Sequence, residues 1–160
     1  MSQQLLNQLL AGRLPDPDGS GLLSVPVRAV EIAPSLAGRE AARRMTPRGQ
    51  GTILFTGATA SVRGREGFAA FASAKHGLRA LAQSMSRELG PKGVHVAHTI
   101  IDGAIDTAWI AENFPDRHAL KSQDGILNPA HIADAYWALH VQPRDAWTHE
   151  LDLRPWMEAW

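Results

Sequence analysis

The stretch Gly67–Gly90, GFAAFASAKHGLRALAQSMSRELG, constrains the fold of this chain more than any other. Phe71, Ala74, Leu78, Leu81, Met85 and Leu89 recur at three- and four-residue steps, the spacing of one apolar helix face. The pattern predicts a long amphipathic helix. Gly90 suits the position just past a helix end, and Pro91 cannot continue the helix.

Around this helix the chain alternates between strand and helix signals. Thr52 to Thr56 is a short, continuous apolar run after a Gly-Gln-Gly turn, which suits a buried parallel strand. Val94 to Ile101 (VHVAHTII) reads as the next strand. Leu22 to Ile32 is β-branched and partly alternating; with Pro26 unable to donate to a ladder, it reads as an edge strand over 24–32. Pro34 is welcome at the first position of a helix and disfavours helical geometry in Ala33, so a helix is predicted over 34–46. Asn128-Pro129 is a cap and first-position pair for a helix reaching about His140, with Ile132, Ala133, Tyr136 and Leu139 facing inward. Residues 2–13 form a short leucine-rich helix pattern, and 14–21 are dense in turn formers.

The chain's 160 residues, 44% hydrophobic and 20% charged, suit one globular domain able to bury a core. Formal net charge is zero, so no bulk attraction to nucleic acid or to an anionic membrane is expected. There is no cysteine, which excludes disulfides, thiolate nucleophiles and cysteine-ligated metals. No apolar run approaches the ~18 residues of a membrane span, and a cytoplasmic location is expected. His95 and His98 lie three apart on one strand and therefore on opposite faces, which argues against a shared metal; no metal site is expected.

Phe71-Ala72-Ser73-Ala74-Lys75, with the AxxGLRALAQSMSRELGPKGVHV that flanks it, resembles the YxxxK active-site helix of the short-chain dehydrogenase/reductase family and the strand after it. Residues 28–160 resemble the C-terminal half of a family member, most specifically over 52–107, whereas residues 1–27 resemble nothing in the family's N-terminal half. The resemblance implies two parts, an unrelated segment 1–27 and a half-domain 28–160. The fold expected is α/β, a three-layer, partial Rossmann-like parallel sheet of three to four strands, near 24–32, 52–57, 94–101 and 148–153, flanked by helices. An alignment to the family starts the first helix near Arg28, in competition with the strand reading of 24–32. Compared with a full-length member the chain is expected to be truncated, without room for the first strands and the glycine-rich phosphate loop.

In the family a tyrosine exchanges a proton with the substrate oxygen, a lysine lowers the tyrosine pKa and holds the nicotinamide ribose, and a serine and an asparagine complete the site. Carried over position by position, Phe71 replaces the tyrosine, Ala58 the serine and Val30 the asparagine. Lys75 remains, either as a ribose-binding relic or as an amphipathic-helix lysine with a buried stem and a wet head. Thr56-Gly57-Ala58-Thr59-Ala60-Ser61-Val62-Arg63-Gly64 sits where a strand–glycine–helix turn invites a dinucleotide reading, but Ser61 and Arg63 occupy the positions where TGxxxGxG needs glycine. Asp102-Gly103-Ala104-Ile105-Asp106-Thr107 falls at the family's PGxxxT nicotinamide loop; Gly103 and Thr107 match, and Asp102 replaces the proline.

These readings predict a non-catalytic relative with an oligomerising or scaffold role. The alternative is an NAD(P)-dependent oxidoreductase that uses a non-standard site or is completed by another chain. No bound cofactor is expected, and NAD or NADP if any, through Lys75, Gly103 and Thr107. Homo-oligomers are expected through helices 34–46 and 67–89, because the family packs these helices against their copies and Ala69, Ala70, Ala72, Ala80 and Ala82 permit close approach.

Overall fold

A computed structural model describes residues 27–159, with side chains from residue 33 onward. The readings for 2–13, 14–21 and 24–26, the Val30 side chain and residue 160 lie outside the described residues. Three strands, β1 (Gly51–Thr56), β2 (Val94–Ile101) and β3 (Glu150–Leu153), make one parallel sheet in the order β1-β2-β3. Ile53 registers against Val96 and Phe55 against His98, and on the other side Thr99 registers against Leu151. All eight residues of β2 are buried, as expected of a strand paired on both edges and covered on both faces.

Two helices, α1 (Val27–Met45) and α2 (Ala69–Leu89), cover one face. The α2 residues Leu78, Ala82, Met85 and Leu89 form one buried cluster with Ile53, Phe55, Val94 and Val96, and Ala41, Ala42 and Met45 of α1 pack against it. Gly38 lets α1 approach: a Cβ there would stand 3.0 Å from both Met85 Sδ and Phe55 Cζ. The short helices α3 (Ala108–Asn113) and α4 (Pro115–Ala119) come after β2 and lead to α5 (Pro129–His140). Side chains of α5 reach the opposite face of β1, with Tyr136 OH 2.8 Å from Thr56 Oγ1 and His140 Nδ1 2.9 Å from Thr52 Oγ1. The expected three-layer α/β arrangement with a parallel Rossmann-like sheet is therefore present.

Four local expectations are corrected. Residues 27–32 are helical and not extended, and Pro34 lies inside α1. A proline inside a helix costs about 3 kcal/mol, yet the α1 residues after it pack on the core, and this tertiary contact outweighs the local preference. Gly90 follows the last residue of α2 as expected, but it keeps right-handed geometry (φ −53), and the left-handed residue is Gly93 (φ 80), at the end of the 3-10 turn Gly90–Lys92. Ala72 and Ala82, expected on an outer face of α2, are buried inside the molecule. Ala133, expected to face inward, is exposed on α5.

Leu78 is central to the cluster and 4% exposed. Leu78→Ala is expected to lower unfolding stability by about 2–5 kcal/mol in urea titrations, whereas Ala80→Ser on the exposed side of α2 should stay within about 0.5 kcal/mol of the parent.

Candidate functional site

Ligand sites in open α/β sheets form beyond the carboxyl ends of the strands. Here that region is a cleft of about 650 Å³ bordered by Ala58 after β1, Phe71 in the first turn of α2, Ile101 and Gly103 at the end of β2, and Phe114 between α3 and α4. Ala58 is extended (φ −153, ψ 174), and Thr59–Ser61 form a single 3-10 turn. The structure thus brings together the two positions where the sequence places the lost serine and the lost tyrosine. Neither an alanine methyl nor a phenyl ring offers a proton or a hydrogen bond.

Lys75, one turn further along α2, does not border this cleft. Its Nζ donates to the Thr56 carbonyl at 3.0 Å and stands 5.8 Å from the Phe71 ring centroid. It lines a second cleft, of about 550 Å³, between α1 and β1, together with Ala37, Gly38 and Leu78. Burial lowers the Lys75 pKa from the usual lysine value. Val30 is placed on α1 by its backbone. Gly103 has φ 142, and a Cβ there would meet Pro155 Cδ at 2.8 Å, so packing against the C-terminal segment already demands glycine. Thr107 caps α3, its Oγ1 accepting from Ile110 N at 3.2 Å. Asp106 anchors the same loop to the segment after α3 through Lys121 (2.7 Å) and His118 (3.1 Å).

Two polar clusters around the cleft were not recognised from the sequence. Asp102, 1% exposed, accepts from the Thr59 hydroxyl and lies 3.7 Å from Arg63 and 3.6 Å from Arg154. It ties the turn after β1 to the end of β2 and to the chain after β3, and its only sequence signal is a charge in place of the family's proline. The second cluster is His98, fully buried on β2, whose Nδ1 lies 3.1 Å from Glu150 Oε2; Arg79 of α2 donates to both Glu150 oxygens at 2.7 Å. His98 lies directly under the site, because a Cβ on Gly57 would stand 2.3 Å from its Nε2. His95 is also buried, bonded to the Thr148 carbonyl at 2.8 Å and stacked on Trp147 at 4.8 Å.

A dinucleotide turn needs free backbone N–H groups. In the turn after β1 five of these groups are already engaged: Gly57 N donates to Thr99 O of β2, Ala58 N to Ser61 Oγ, Ser61 N to Ala58 O, and Val62 N and Arg63 N to Thr59 O. The residues of this turn do not fit a pyrophosphate. Among the described residues there is also no group of three His, Cys, Asp or Glu placed to hold a metal ion, and no helix long and apolar enough to cross a membrane.

The model of the short chain dehydrogenase family matches residues 32–118. The chain belongs to that family. A crystal structure of a short-chain dehydrogenase from Rhodopseudomonas palustris is 49% identical, with a TM-score of 0.62 over 81% of this chain and 52% of that one. The (21S)-21-acetoxyl-apo-melianone synthase of Melia azedarach is 33% identical over 128 residues, 72% of this chain and 46% of its own length. A 4-hydroxyisoleucine dehydrogenase complexed with NADH shares the fold at a TM-score of 0.67 and 21% identity, over 81% of this chain and 56% of that one. The chain spans about half the length of the relatives it matches.

The cluster beneath the cleft makes stability depend on pH. Burial lowers the pKa of His98 from its usual 6.5, so the folded state holds the ring neutral while the unfolded chain still binds a proton. That contribution is complete above pH 6.5 and is lost as pH falls towards the depressed value. The Arg79 guanidinium holds the Glu150 carboxyl below its usual 4.5, so a second loss occurs at still lower pH. Thermal midpoints recorded from pH 8 to pH 4 are expected to fall on acidification, with a shallower decline between pH 7 and pH 5 in His98→Gln.

Proposed function

We propose that this chain is a non-catalytic short-chain dehydrogenase relative that keeps a ligand cleft and works by binding and self-association. The observation that carries the reading is the pairing of Phe71 with Ala58 in the wall of one cleft, where the family's mechanism needs a proton donor and a carbonyl-orienting hydroxyl. Loss of a positioned acid–base group alone costs roughly 10²–10⁴ in rate. Lys75 supports the same reading, since its ammonium is held by the Thr56 carbonyl and borders the neighbouring cleft. NAD or NADP, if either binds, would meet Lys75, Gly103 and Thr107 without a phosphate-holding turn among the described residues. A cytoplasmic setting is part of this proposal, in keeping with the lack, among the described residues, of a helix long and apolar enough to cross a membrane.

Two surfaces support self-association. The outer side of α2 exposes Ala69, Ser73, Gly77, Ala80 and Ser84, small residues that permit a second helix to approach, and α1 exposes Leu36 at 48%. Among the described residues β1 is paired on one edge alone, and its free edge lies beside the second cleft. That open edge also favours the alternative reading, an NAD(P)-dependent oxidoreductase whose nucleotide-binding part comes from another chain.

No turnover is expected when the purified protein is assayed with NADH or NADPH against common ketones and alcohols. Nicotinamide oxidation that copurifies with the protein and disappears in Lys75→Ala would establish the alternative. Phe71→Tyr combined with Ala58→Ser should remain inactive, because a restored proton donor still lacks a held nicotinamide. In light scattering at micromolar concentration the parent should be a dimer or larger. Ala80→Glu, which places charges on the exposed face of α2, should shift it towards monomer; a parent that is already monomeric overturns the self-association part.

A further inference from the structure

We propose that the 650 Å³ cleft binds a small carboxylate with an aromatic or aliphatic body, and that Arg65 and Arg117 select for the negative charge. This rests on the reading above only in using the same cleft as a binding site. Three arginines line the cleft, Arg63, Arg65 and Arg117, against one carboxylate, Glu158, in a chain whose formal net charge is zero. Their commitments differ. Arg63 is tied inward to buried Asp102 at 3.7 Å and to the Ala159 carbonyl at 3.3 Å. Arg117 pairs with Glu158 at 3.5 Å, a loose contact with the arginine side chain 56% exposed. Arg65 has no carboxylate within 4.0 Å among the described residues; its guanidinium carbon stands 5.9 Å over the Phe68 ring.

Apart from Thr59, whose hydroxyl donates to Asp102, the side chains in the remainder of the lining are apolar. Phe68, Phe71, Ile101, Ile110 and Phe114 border the same space, and Phe68 and Phe114 are each 48% exposed. Trp109, 60% exposed, extends this rim by packing on Phe114 at 5.3 Å. An apolar lining of this kind gains from a flat or aliphatic body that removes it from water. A planar guanidinium offers paired donors that match a carboxylate, and that of Arg65 lies within cation–π range of the Phe68 ring. The Ala58 methyl and the Phe71 ring supply no donor or acceptor, so an uncharged polar head would lose its water without replacement in the depth of the cleft. Selection therefore falls to the charged rim.

The test is calorimetric titration of the whole chain, without nicotinamide, using 2-naphthoate and its neutral isostere 2-naphthamide. Naphthoate is expected to bind at least about tenfold more tightly than the amide, in line with the strength of charge-assisted hydrogen bonds. Arg65→Gln should erase most of that ratio while leaving the amide's affinity in place, and added salt should weaken naphthoate alone. Phe114→Ala should weaken both ligands together. Equal affinity of acid and amide, naphthoate affinity unchanged in both Arg65→Gln and Arg117→Gln, or no heat for either ligand at millimolar concentration would overturn the proposal. Thermal melts of each variant verify that it is folded. Turnover in the nicotinamide assay would refute the non-catalytic reading and leave this result standing, whereas absent binding would refute this proposal and leave that reading standing.

Discussion

The packing of α2 across β1 and β2 sets the position of every functional group in this molecule. Leu78, Ala82, Met85 and Leu89 form a ridge along α2 that fills the surface made by Ile53, Phe55, Val94 and Val96. Burial of such side chains supplies the main favourable free energy of a domain this size, and it also fixes the rotation of the helix. Phe71 and Lys75 lie on the same helix, in its first and second turns, so their placement is a consequence of the ridge and is not chosen independently. With the ridge seated, Phe71 borders the cleft at the sheet's carboxyl end, and Lys75 is directed to the Thr56 carbonyl.

A sheet whose central strand is buried along its whole length has little room for unpaired polar groups. β2 nevertheless carries His95 and His98, each bonded through one ring nitrogen to a distant part of the chain, while the buried Thr99 hydroxyl has no hydrogen-bond partner among the described residues. Arg79 on α2 and Glu150 on β3 clamp His98 between two layers, while Asp102, at the next turn, gathers Thr59, Arg63 and Arg154. Removal of one member of such a set leaves another buried and unsatisfied, which is more costly than the net value of any one bond. The clusters therefore act as fasteners that hold the turn after β1, the end of β2 and the C-terminal segment in one arrangement around the cleft.

How far the fold is legible in the sequence depends on the range of the interactions involved. The period of 69–89, the continuous apolar run at 52–56 and the Asn128-Pro129 cap are local signals, and each element appears where its signal lies. Ala58 and Phe71, which the sequence pairs by counting back from Lys75, border one cleft. Residues 27–32 were misread because β-branched alternation and Pro34 outweighed, locally, a helix that the tertiary contacts of Gly38, Ala41 and Met45 retain. α2 ends at Leu89, just before Gly90 as the sequence indicates, but the left-handed turn falls at Gly93, because Gly90 is equally at ease in right-handed geometry. Asp102 with Arg154, and His98 with Glu150, are separated by about 50 residues in the chain, and no periodicity reports such pairs.

The edge of β1 that is unpaired among the described residues and the cationic, aromatic rim of the cleft lie at different parts of the molecule and respond to different physics. The edge exposes backbone donors and acceptors that any extended chain can satisfy, so its demand is geometric and largely independent of side chains. The rim presents Arg65 beside Phe68 and Phe114, so its demand is for charge and apolar surface together. Lys75 lies between the two, donating from α2 to Thr56 at the last residue of the edge strand. A strand docked along β1 would approach the carbonyl that holds Lys75, and the ammonium would then have to share that acceptor or turn towards the nearby cleft. One hydrogen bond would thus couple occupancy of that edge to what Lys75 can touch.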